Sequence, residues 1–259
     1  LKEAQELTSI ADTKGLLSWV EFHKRWDIAN IALRDSYLSG EIGKLLYCIV
    51  EYSQRKSIPT KNFKGWSSKT NILNYLGVHY IDLMRFITEA VPKRVSAKGQ
   101  DYYLNGVGVN TYDAIQCSIE WENMNKETFT QTIFTNWVDP DTSTSASDQK
   151  IKLIGTKGRF ESDQKNRGLY LNVDNKNPKS INPYFCSSYK NSSGQLQWSG
   201  YGIDSIADFL NSASLLISRR IKLEDMPQSK PSFNESIHST SVLEAAQKSL
   251  NSHSAWIDI

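Results

Sequence analysis

The stretch from residue 93 to residue 172 sets the tightest limit on the fold. Six strand-like runs follow one another there, at 94–102, 113–123, 128–137, 150–154, 159–162 and 168–173. Turn signals such as Gly155-Thr-Lys-Gly158 separate several of them. No helical periodicity interrupts the series. Parallel neighbours need a crossover of about a dozen residues or more, so strands joined this closely pair antiparallel. A longer run at 43–54 precedes them, with Leu45, Tyr47, Ile49, Glu51 and Ser53 on one face and Leu46, Cys48, Val50 and Tyr52 on the other. The sheet needs cover on at least one face, and amphipathic patterns at 28–39, 71–89 and 203–218 are available for it. A last helix is expected at 234–252. The expected fold is α+β, an open and mostly antiparallel sheet with helices on one face.

The start of the chain reads differently. Residues 2–14 carry Ala4, Leu7, Ile10 and Ala11 at helical spacing, and Gly15 ends that pattern. Residues 16–22 form a short apolar run expected to be a buried strand. A helix followed by a buried strand suits the closing unit of a parallel sheet. Asp27 is placed to N-cap the helix at 28–39. The chain lacks an initiator methionine and reads as a fragment or a processed product.

Composition narrows the function classes. The 259 residues are 39% hydrophobic and 22% charged, with a net charge of +2. The basic residues are scattered, which argues against a nucleic-acid partner. No apolar run approaches the roughly 20 residues that span a bilayer. The three cysteines, Cys48, Cys117 and Cys186, are far apart and odd in number, which argues against a disulfide framework or a zinc site and for a reducing, cytoplasmic compartment.

The helix at 71–89 carries the candidate chemistry. Ile72, Tyr75, Leu76, His79, Leu83 and Phe86 share one face, and Asp82 lies one turn beyond His79. A histidine on such a face is ordinarily a satisfied core residue. The preceding segment, 55–70, is basic, polar and irregular, yet contains Trp66, which is unusual for a solvated loop.

The order of motifs resembles the Gfo/Idh/MocA oxidoreductases. Val20-Glu-Phe-His-Lys-Arg25 is similar to the family strand that ends in arginine. Ser39-Gly-Glu-Ile-Gly-Lys44 resembles its G-x-I-G entry to the first long strand, and Leu76-Gly-Val-His-Tyr-Ile-Asp-Leu83 its G-x-H-x-x-D helix. Pro92-Lys-Arg-Val95, Gly155-Thr-Lys-Gly158 and Ser241-Val-Leu-Glu-Ala-Ala-Gln-Lys-Ser249 resemble its next strand start, its late hairpin and its closing helix.

The resemblance implies a nicotinamide-dependent dehydrogenase of a sugar, nucleotide sugar or cyclitol. Residues 1–26 would be the terminal helix and strand of a Rossmann domain, and 27–259 the substrate-binding and dimerisation domain. NAD or NADP would be held mainly by the rest of that Rossmann domain, upstream of Leu1. The chain itself has no G-x-G-x-x-G motif to bring dinucleotide phosphates onto a helix N-terminus, so alone it is expected to be inactive.

The resemblance also assigns roles. His79 would polarise or protonate the reacting oxygen, a task suited to an imidazole that titrates near neutrality. Where the family usually has Asp, four residues earlier, this chain has Tyr75. Its hydroxyl could relay a proton or bond a sugar, or the lost charge could mark lost activity, which leaves a non-catalytic scaffold as the alternative. A third reading is a relative that uses the cofactor transiently to cleave glycosides. Arg25, Trp66, Lys69 and Asp82 are the candidate substrate contacts. For Arg25 and Asp82 a structural ion pair is the competing role, and for Trp66 it is anchoring its loop. The strands at 113–123 and 128–137 carry large residues on both sides, so the uncovered face is expected to bear an apolar patch. In the family that face packs on a second copy, which implies a homodimer or a tetramer.

Overall fold

A computed structural model describes residues 1–167, 169–171, 177–182 and 184–259. In chain order the elements are α1 (Lys2–Thr13), α2 (Ile28–Leu38), β1 (Leu45–Arg55), α3 (Lys64–Ser67), α4 (Val78–Thr88), β2 (Val91–Gln100), β3 (Ala114–Glu122) and β4 (Thr128–Asp139). There follow β5 (Ser147–Gly155), β6 (Arg159–Asp163), β7 (Leu169–Leu171), β8 (Lys179–Ile181), β9 (Ser187–Lys190), β10 (Leu196–Ser199), α5 (Tyr201–Ile217), α6 (Phe233–Asn251) and β11 (Ile257–Asp258). The expected strand at 168–173 falls partly outside the described residues, and β7 is the part that lies within them.

The main sheet has seven strands in the order β11-β2-β3-β4-β1-β5-β6. Every neighbouring pair is antiparallel except β1 and β4. That exception follows from connection length, because β1 reaches β4 only after α3, α4 and two strands. β3 and β4 alternate strictly. Ile115, Cys117, Ile119 and Trp121 on one strand, and Phe129, Ile133 and Trp137 on the other, all point into the core. The polar groups that join them there are satisfied. Trp121 Nε1 donates to Gln131 Oε1 at 3.1 Å, and Gln131 Nε2 donates to the Tyr80 carbonyl of α4 at 2.9 Å. α4 and α6 cover this face and α2 packs on α4. The helix expected at 203–218 does not cover the sheet. It forms as α5 and packs on the turn at His23–Trp26 and on β10.

Two glycine motifs meet each other. Gly43 has φ +74° and leads into β1 beside the β5–β6 turn. Lys157 N donates to the Ile42 carbonyl at 3.0 Å, and Thr156 N to the Lys44 carbonyl at 2.9 Å. A Cβ on Gly155 would run into the Ile42 carbonyl, so only glycine lets the two backbones approach. Ser249 also has a definite task. It accepts from Ala97 N of β2 at 2.9 Å and donates to the Ala255 carbonyl at 2.6 Å, which ties α6 to the sheet.

The uncovered face departs from expectation. All the large residues of β3 and most of those of β4 lie on the helix side. The open face carries rows of Ser96, Ser118, Thr132 and Ile49, and of Lys98, Gln116, Phe134 and Glu51, paired strand to strand. Its apolar part is small, with Tyr47, Ile49 and Phe134 each exposed. The run at 16–22 meets no partner strand among the described residues. A strand exists only through the ladder it shares, and here Val20 N bonds the Pro231 carbonyl instead.

Candidate active site

The helix bearing His79 begins with a π-helical turn, Leu73–Gly77, before α4 proper. Such a turn widens the helix and is frequent at functional sites. It presents Tyr75 and His79 to a cleft of ≈ 570 Å³, whose other walls come from β1, β5 and the residues Asn182, Phe185, Cys186 and Tyr201. Tyr52, Gln54, Gln149, Phe185 and Tyr201 line it beside His23.

His79 and His23 sit together, with ring centroids 4.9 Å apart. Phe22 lies edge-on to His79 at 6.0 Å, and His23 stacks on Tyr201 at 5.7 Å. Neither ring nitrogen of His79 bonds within the described residues, and Nδ1 is buried. Burial, and then the charges of His23 and Lys24, hold its imidazole well below the ordinary pKa of 6.5. Burial and Lys24 likewise push His23 down to about 4. Near neutral pH both rings are uncharged, and His79 is a hydrogen-bonding group with an unused valence in a cleft wall.

Lys24 lies beneath them and is 1% exposed. Its ammonium donates to Gln149 Oε1 and, at 2.9 Å, to Gln164 Oε1. It rests over the rings of Tyr80 at 4.7 Å and Tyr52 at 5.3 Å. Gln164 Nε2 continues the network to Asp27 Oδ2 at 2.9 Å, where Arg167 also binds. Burial nevertheless lowers Lys24 to about 7, against the pull of Asp27. The same burial raises the hydroxyls of Tyr52, Tyr80 and Tyr201, so none of the three ionises to meet that ammonium near neutrality.

Sequence reasoning reached part of this arrangement. Tyr75 and His79 do line one cleft. Trp66 touches it through Tyr75, with their rings edge-on at 5.2 Å. Lys69 does not join them. It lines a separate recess with Asn71, Asn74, Asn105 and Asn110. Arg25 and Asp82 are corrected as cleft residues. Arg25 Nη2 donates to Asp82 Oδ1 at 2.6 Å, Nε donates to Oδ2 at 2.9 Å, and both side chains are almost fully buried. Arg25 Nη1 is taken by the Ser229 carbonyl at 2.7 Å. The pair clamps the turn at residues 23–26 to α4, and a bidentate guanidinium has no donor fork left for a substrate. Lys24 was missed. Its only signal is its place in a basic run, His23-Lys-Arg25, set between Phe22 and Trp26.

The family model of the GFO/IDH/MocA C-terminal domain matches residues 31–161, half of the chain. The chain belongs to the GFO/IDH/MocA family. Among solved structures it resembles the myo-inositol 2-dehydrogenase of Lactobacillus plantarum, with a TM-score of 0.68 at 14% identity over 100% of this chain and 70% of that one. The inositol dehydrogenase homolog of Azotobacter vinelandii, complexed with NADH and myo-inositol, gives 0.68 at 14% identity over 100% and 68%. The scyllo-inositol dehydrogenase of Lactobacillus casei, with bound NAD(H) and scyllo-inositol, gives 0.65 at 13% identity over 99% and 69%. At such identities the likeness establishes a shared fold. No curated protein matches the sequence.

Proposed function

We propose that this chain is the substrate-binding part of a nicotinamide-dependent oxidoreductase that acts on a cyclitol or sugar hydroxyl. The observation that carries the reading is His79. A neutral imidazole with no hydrogen-bond partner among the described residues faces a cleft in a fold that dehydrogenases of inositols share. Its free valence suits a substrate hydroxyl, whose proton it accepts as the alcohol is oxidised and returns on reduction. Burial weakens it as a base, so the proton settles on it only while the developing charge of the substrate lies alongside.

The surrounding groups suit a polyol. Gln54, Gln149, Asn182 and Tyr201 offer neutral donors and acceptors around the cleft. Burial raises the Tyr75 hydroxyl, against a smaller effect of Gln54, so Tyr75 meets a substrate as a neutral donor rather than as the carboxylate common in the family. His23 and Tyr201 close the side of the cleft formed by residues 20–26 and α5, where residues 1–26 would join a nucleotide-binding domain.

A bound NAD or NADP would supply the hydride acceptor. The sequence has no glycine-rich phosphate cradle, so what these residues would offer the reaction is the imidazole of His79, unpartnered among the described residues. Two copies would pack through the open sheet face. Among the described residues no helix is long and apolar enough to cross a membrane. The cytoplasm is the proposed location.

The test is turnover of the full-length protein with NAD and NADP against a panel of cyclitols, sugars and nucleotide sugars. His79→Ala should lower kcat about a hundredfold or more while leaving the fold intact. Unchanged turnover would return His79 to the core. No turnover with any pair would favour the scaffold reading.

A further inference from the structure

We propose that Trp66 and Phe63 form an outer subsite that takes a second, neutral pyranose ring, one glycosidic bond from the ring held beside His79. The inference rests on the oxidoreductase reading above and narrows its substrate class to a glycoside.

The loop at 55–70 does not need Trp66 as an anchor. Pro59 and Ser67 are buried instead, and Ser67 Oγ donates to the Pro59 carbonyl at 2.9 Å. Trp66 is 42% exposed and Phe63 37% exposed, in a loop that is mostly polar. Both are nonetheless held in place. Phe63 meets Trp66 edge-on at 5.8 Å, and each meets the Tyr75 ring edge-on, at 5.7 Å and 5.2 Å. Tyr75 leans in turn on Trp137 from the core at 5.7 Å. Rings ordered by such T-shaped contacts yet still partly exposed can take up a sugar face at little entropic cost.

Tyr75 connects the two places, because it also lines the His79 cleft. The residue that departs from the family's aspartate is therefore the one that joins an apolar shelf to the cleft. At ≈ 570 Å³ the cleft lies in the range that encloses a drug-sized ligand, larger than one six-membered ring needs. Polar groups stand beside the shelf. An amide-rich recess opens two residues past Trp66, at Ser68, and the side-chain amides of Asn74 and Asn110 make no hydrogen bond among the described residues. Amides and aromatic faces suit uncharged hydroxyls, and the one cation and one anion of the recess, Lys69 and Asp101, offset each other in charge.

The shelf can be tested by binding alone. Ligand-detected NMR and calorimetry would compare methyl glucoside with maltose and cellobiose on the intact protein. At least one disaccharide should bind about three- to tenfold tighter than the methyl glycoside. Trp66→Ala should abolish that gain, bringing the ratio of disaccharide to methyl glucoside affinity to about one, while Trp66→Phe keeps part of it. Urea unfolding verifies that both variants are folded.

Equal affinity for one ring and two overturns the subsite, as does a gain that survives Trp66→Ala. No binding of any sugar at millimolar concentration overturns it as well. UDP-glucose binding tighter than either disaccharide through Trp66 would show that the shelf takes a nucleobase, and would also overturn the proposal. A Trp66-dependent gain in a protein that never turns over NAD(P) would leave the subsite standing while the redox reading fails.

Discussion

Replacing Lys24 with methionine isolates the cost of a buried charge. In the folded chain the Lys24 ammonium gives up its proton at about 7, whereas the unfolded chain holds it up to the ordinary 10.5. Between those values the unfolded state binds more protons, so the lysine's contribution to stability rises with pH. Below about pH 7 the charged form is present in both states and its burial is a constant penalty. Each pH unit inside the window is worth about 1.4 kcal/mol, so the interval from pH 7 to pH 8.5 is worth about 2 kcal/mol. Above about pH 9 the buried thiols of Cys48 and Cys117 and the buried tyrosines act in the opposite sense, because their raised values favour the protonated folded state. They are present in both proteins and cancel in the comparison. Urea unfolding of wild type and Lys24→Met, followed at several pH values, reads the difference directly. The stability of wild type relative to the variant should climb by about 2 kcal/mol from pH 7 to pH 8.5. Parallel curves would refute the claim that Lys24 is buried as a strained cation under the cleft.

Two further outcomes test the frame and the assembly. Asp82→Asn strips the partner from the buried Arg25 and should cost about 3–5 kcal/mol in urea unfolding; a loss below about 1 kcal/mol would mean that water reaches the pair. Sedimentation velocity at micromolar concentration should show a dimer that Phe134→Lys dissociates, since Phe134 sits in the middle of the open face; a clean wild-type monomer sinks that interface.

Periodicity carried much of the fold. Alternation in β3 and β4 decides which residues face the core, because successive side chains point to opposite sides of a strand. The helical spacing of α1, α2, α5 and α6 placed those helices within a residue or two of where they form. Short connections made the sheet antiparallel without any knowledge of its strand order. Gly43, Gly155 and Ser249 stood out in the chain, but their physical tasks are visible only where the backbones meet.

The site was legible to the extent that it lies on one helix. Tyr75 and His79 share a face through local geometry alone, so sequence spacing sufficed. What lies across from them did not follow from spacing. Asp82 also stands one turn from His79, yet it turns to Arg25, 57 positions away along the chain. Lys24 reads as an ordinary surface cation until Tyr52, Tyr80, Gln149 and Gln164 close over it from three separate strands and helices and the segment after β6. Local sequence determines which way a side chain points from its own element, because that depends on backbone period and rotamer. Burial, and with it every shifted pKa in the cleft, depends on which distant elements pack opposite, and only the tertiary structure decided that.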